Sequence, residues 1–100
     1  MIAVVSAPTE QAHDVGAIIA PDRHLPTRAV PDIGRTYIMC PLISLAGTGL
    51  FARSELDIQY FRSTEGAMDF ADKDIAIRLA AQRAAIGDAI LEGLRQREAR

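Results

Sequence analysis

The sequence predicts an α+β fold in one small domain, residues 1–100. Its elements are a short N-terminal strand and helix, a proline-rich loop, an antiparallel hairpin over about 36–61, and a long C-terminal helix over about 72–98 packed on that hairpin. Three observations predict it. The apolar residues change period along the chain, from strand-like alternation to helical steps of three and four. All five prolines lie in the first 41 residues. Seventeen of the 24 charged residues lie after residue 50. The first part is therefore stiff and irregular and the second regular and charge-patterned. Neither half buries a core alone, so the shift in composition marks no domain boundary.

Met1 to Ala7 reads as a strand, because Ile2, Val4 and Val5 are strand formers and Pro8 stops it. From Thr9, a plausible N-cap, Ala12, Val15, Ile18 and Ile19 recur at helical spacing, and the helix ends before Pro21. Pro21 to Gly34 holds three prolines and no steady period, which predicts a stiff loop. Thr36 to Leu45 is apolar on both faces, as a central strand requires. Ala46, Gly47, Thr48 and Gly49 supply turn chemistry, and Leu56, Ile58 and Tyr60 then alternate with Asp57 and Gln59. Thr64 or Asp72 can cap the final helix, the stretch 64–71 being either a separate turn or its first part. At 100° per residue, Ile75, Leu79, Ile86, Ile90 and Leu94 share one arc, which Ala76, Ala80, Ala84, Gly87 and Leu91 widen to nearly half the cylinder.

Composition bounds the function. A net charge of −2 on 10.8 kDa excludes a strongly basic nucleic-acid binder. Arg23, Arg28 and Arg35 could gather locally, but Asp22 and Asp32 offset them and the loop has no aromatic to stack on a base. One cysteine, Cys40, allows no internal disulfide and suits a reducing compartment, hence the cytoplasm, or a virion for a phage-encoded chain. The longest uncharged stretch, Thr36 to Ala52, is broken by Pro41, Gly47 and Gly49, so no membrane segment is expected.

Few residues offer chemistry. His13, Asp14, Asp22 and His24 lack the spacing of a metal site, and neither a metal nor a cofactor is expected. Cys40 sits in an apolar strand, Gly47 and Gly49 are followed by no lysine, and Ser6, Ser44 and Ser54 have no triad context. Arg83 interrupts the apolar arc. It either meets a carboxylate such as Asp57 or Glu55, extends to water along its stem, or contacts a ligand or second chain. The small residues of the helix admit close packing on the chain's own sheet or on another helix. Leu50 and Phe51 stand at the expected hairpin tip.

The order of elements, a short first helix, a loop, a strand pair and a final helix, resembles small phage tail-completion proteins, and that resemblance implies assembly into rings. The expected function is a non-enzymatic protein–protein interaction module, an assembly or regulatory subunit that binds a protein partner or itself. Arg83, Arg23, His24, Arg28, Leu50 and Phe51 are its candidate contact residues. Two alternatives stand beside it. One is a small inhibitor of the anti-defence type that docks on a larger complex. The other is a small enzyme or ligand-binding subunit using Arg23, His24 and Arg28.

Overall fold

The computed structural model describes residues 1–99. The fold is α+β: a four-stranded antiparallel sheet, a short helix on one face and a long helix on the other. Strand β1 (Ile2–Pro8) leads into helix α1 (Thr9–Ile19), which stops ahead of Pro21 as the restricted residue before a proline dictates. Thr9 is the first residue of α1 rather than its cap, and its amide donates to the Gly34 carbonyl at 2.9 Å. Strands β2 (Thr27–Val30), β3 (Arg35–Pro41) and β4 (Asp57–Phe61) follow, and helix α2 (Thr64–Glu98) completes the chain.

The spatial order is β2-β3-β1-β4, and this corrects the expected hairpin over 36–61. β3 and β4 never pair. β1 lies between them, with Val5 opposite Ile38 on one side and Ile58 on the other. The cause is visible in the side chains. Ala3 through Ala7 are buried on both faces of the sheet, which only an inner position allows, whereas β4 leaves Asp57, Gln59 and Tyr60 exposed and takes an edge. The connection from β3 to β4 is also far longer than a tight hairpin turn. The hairpin that does form is β2–β3. Part of the expected loop 21–34 is therefore an edge strand, with Pro26 and Pro31 placed just outside its ends. Gly34, at φ 64°, makes the left-handed turn between the two strands.

The two sheet faces carry separate cores. Ala3, Val5, Ala7, Ile38 and Cys40 face α1, where Val15 and Ile19 cover them. The segment between β3 and β4 folds back over the same face and buries Leu45, Leu50 and Leu56. On the other face, Val4 and Tyr37 meet Ala67, Ala71 and Ile75 from the first turns of α2, with Phe61 against Phe70 at its edge. α2 starts at Thr64, eight residues before the expected 72, because Ser63 caps it: the Gly66 amide donates to Ser63 Oγ at 3.1 Å.

After Ile75 the helix leaves the body. Its 35 residues span about 52 Å, and the molecule measures 59 × 26 × 21 Å. The radius of gyration is 17.2 Å, against about 13 Å for a globular chain of this length. The helix therefore packs on the sheet only as far as Ile75 and, in part, Leu79.

Candidate functional site

A polar clamp fixes the direction in which α2 departs. Asp74 Oδ2 accepts from the Tyr37 hydroxyl at 2.5 Å and from Arg78 Nε at 2.9 Å. Arg78 also donates to Asp57 Oδ2 at 2.7 Å, which ties the helix to the edge strand β4. Arg35 joins from β3, donating to Ser6 Oγ and the Ser6 carbonyl at 2.8 Å each and reaching Asp57 at 3.5 Å. Burial alone raises the pKa of the Asp74 carboxyl, but the hydrogen bonds from Tyr37 and Arg78 and the nearby positive charge outweigh it and hold that pKa below its ordinary value. Burial first, and then the Asp74 partner, pushes the Tyr37 hydroxyl upward. The i,i+4 pair of Asp74 and Arg78 is legible in the sequence. The reach of Tyr37 across the sheet is not, because it depends on which face of β3 meets α2.

On the side away from the sheet, α2 exposes Ile77 within the clamp and Ile86, Ile90, Leu91 and Leu94 beyond it, with Ile90 60 % and Leu94 49 % accessible. Ala76, Ala80 and Ala84 are exposed with them, so these three small residues do not lie on the chain's own sheet. A row of aliphatic side chains held in water on a rigid helix is the most unusual surface of the molecule.

Arg83 belongs to that surface. It is exposed, and it neither snorkels from a core nor meets Asp57 or Glu55. Those carboxylates are taken, Asp57 by Arg78 and Arg35 and Glu55 by Arg53. The reason is translational: Arg78 is the last arginine of α2 level with the sheet, and Arg83 comes more than one turn later.

The remaining candidates separate. Arg23 donates to Ser44 Oγ at 3.0 Å, and with His24 and His13 it lines a cleft of about 350 Å³ between α1 and the sheet. Arg28 is on the opposite face. Residues 27–30 form a strand, so alternate side chains point to opposite sides, and Arg28 pairs with Asp72 of α2. There it borders a second cleft of about 350 Å³, lined mainly by apolar side chains that include Val4, Met39 and Met68. The expectation that Arg23, His24 and Arg28 share one site is thereby corrected.

Leu50 corrects another expectation. It is 1 % accessible and packs into the α1-side core, while its neighbour Phe51 stands 57 % exposed. Gly47 and Gly49, at φ 76° and 75°, turn this segment inward over the sheet rather than outward as a hairpin tip. Thr48 Oγ1 braces the turn, donating to the Leu45 carbonyl at 2.9 Å and accepting from the Leu50 amide at 3.2 Å.

Among the described residues no three His, Cys, Asp or Glu side chains gather where a metal ion could sit, and no helix is long and apolar enough to cross a membrane. Burial raises the pKa of the Cys40 thiol and so disfavours its thiolate. No family model matches the chain, and no curated protein or solved structure matches it either.

Proposed function

We propose that this protein is a non-enzymatic protein–protein interaction module, an assembly or regulatory subunit whose contact surface is the projecting half of α2. One observation carries the reading: Ile86, Ile90, Leu91 and Leu94 stand about half exposed on a continuous helix beyond the body. Covering apolar surface of this kind contributes about 25 cal/mol per Å², and none of it is covered by the chain itself. The charges beside it favour a protein over a lipid surface. Residues 76–98 carry four arginines (78, 83, 95, 97) and three carboxylates (88, 92, 98), a mixed border rather than the basic face that anionic lipid attracts.

A photo-crosslinking residue placed at Leu91 tests this in the producing cell. The expected product is a covalent adduct to a polypeptide, which is lost when Ile90 and Leu94 are replaced by Ser. Adducts to lipid only, or none, overturn the reading.

The α1-side cleft favours a second reading, a ligand-binding subunit. Two imidazoles and a guanidinium line it, no carboxylate does, and its floor holds Ala17, Ala20, Leu25 and Ile38. That lining suits a small anion with an apolar body. Titration with benzoate and with inorganic phosphate, read from the imidazole resonances of His13 and His24, checks it. Saturable shifts with benzoate that vanish in Arg23→Ala support this reading, and unmoved resonances at millimolar ligand dismiss it.

A further inference from the structure

The apolar part of α2 has a finer order than an exposed stripe. From Ile77 the residues Ile77, Ala80, Ala84, Gly87, Leu91 and Leu94 follow alternating steps of three and four, an unbroken a/d heptad row about 26 Å long. At 100° per residue this row points roughly opposite to Ala67, Ala71 and Ile75, the face that holds α2 on the sheet. The row therefore looks directly away from its own body. A second helix can lie along it without meeting the sheet.

Area shows how much is left to cover. The accessible surface is 6810 Å², whereas a globular chain of 10.8 kDa has about 5,500 Å². The excess, about 1,300 Å², is more than the roughly 800 Å² that each partner contributes to a standard interface.

Charge identifies the occupant. Arg83 and Asp88 flank the row on opposite sides, at the g position of one heptad and the e position of the next. Both are exposed, and neither takes part in an ion pair within the described residues. When two such helices run in the same direction and in register, a g side chain meets the e side chain five residues ahead on its neighbour. Arg83 of each copy then meets Asp88 of the other. When the helices are opposed at greatest overlap, Arg83 falls beside Ile90 of the second copy and Asp88 beside Ala81, and neither charge is answered.

We propose that this protein assembles with further copies of itself through α2, as a parallel, in-register coil. Ile77, Ala80, Ala84, Gly87, Leu91 and Leu94 form the seam, and Arg83 pairs with Asp88 of the next copy. The proposal rests on the interaction reading above and names its partner. It also accounts for an arginine inside an apolar arc, since the guanidinium has its carboxylate in another chain while its stem covers the seam. Ile86 and Ile90 lie beside the seam on the Arg83 flank. A bundle of three or more parallel copies covers them, and a pair leaves Ile86 wet.

Light scattering on the full chain gives the first test. The expected mass is that of two or more chains. Arg83→Asp is expected to weaken association roughly tenfold, by turning attraction into repulsion at two sites, and adding Asp88→Arg restores it. Both positions are exposed and outside the body, so the near-ultraviolet circular dichroism of the aromatics packed on the sheet, Tyr37, Phe61 and Phe70, is expected to be unchanged. Direction is read separately from Leu94→Cys under mild oxidation, with Cys40 buried out of reach. A disulfide-linked dimer of the single variant is expected. Crosslinking that needs a mixture of Ile77→Cys and Leu94→Cys chains overturns the parallel arrangement. A monomer at every concentration overturns self-assembly altogether. A different polypeptide in the Leu91 adduct then leaves the interaction reading standing, and the two failures are told apart.

Discussion

Leu50→Ala is expected to cost about 3 kcal/mol of stability, a fall of roughly 10–20 °C in melting temperature for a chain this size, while Phe51→Ala changes stability by less than about 0.5 kcal/mol. The two residues are adjacent, and their chemistry gives no reason for the difference. Position does. Leu50 is 1 % accessible and packs with Leu45 and Leu56 over Ile38 and Cys40, so truncation leaves a cavity that the sheet beneath cannot fill. Phe51 is more than half exposed and loses little when shortened. Thermal unfolding followed by circular dichroism decides it. Equal losses would mean that the segment between β3 and β4 is not the lid on the α1-side core.

The second large effect is at the clamp. Asp74→Asn removes the charge that accepts from both Tyr37 and Arg78, and charge-assisted hydrogen bonds contribute more than neutral ones. A loss of about 2 kcal/mol is expected near neutral pH, since Asp74 is mostly but not fully shielded from solvent. The loss depends on pH, with a definite sign. The carboxyl has a lower pKa folded than unfolded, so its contribution is complete above the unfolded value of 3.8 and disappears as pH falls through the lower folded value. The gap between wild type and Asp74→Asn is therefore constant from pH 5 to 8 and closes on further acidification. Tyr37 works in the opposite sense. Its pKa is raised on folding, so its share is complete below the ordinary value of 10.0 and is lost as pH rises through the higher folded value. Urea melts at a series of pH values measure both limbs. A gap that widens in acid would remove Asp74 from the role assigned to it.

Much of the fold is legible in the chain because periodicity reports burial. β1, α1, the central position of β3 and the helical state of α2 from Ile75 onward all follow from where apolar side chains recur. What is not legible has particular causes. The run of buried residues in β1 demands an inner position, but nothing local says that β1 enters between β3 and β4. The prolines around Thr27–Val30 look like loop residues because proline cannot donate to a ladder, although at strand ends it has no need to. Leu50 looks exposed when Gly47 and Gly49 are read as a hairpin turn, and is buried once the same glycines turn the chain inward. The candidate surface behaves likewise. The apolar arc of α2 and the anomaly of Arg83 stand in the sequence, but periodicity reports only that a face is apolar. What covers that face depends on where the sheet ends, and it ends near Ile75.

The continuity of α2 has a mechanical consequence. No proline interrupts the helix from Thr64 to Glu98, so the turns bolted to the sheet and the turns in solvent move as one rod with its fulcrum at Asp74 and Arg78. A rotation of about 10° at that fulcrum swings Leu94 through about 5 Å, roughly half the spacing between packed helices. Tolerances at the far tip are therefore set by the stiffness of a few hydrogen bonds near the base, and loosening Tyr37, Asp74 or Arg78 disturbs contacts that those residues never touch.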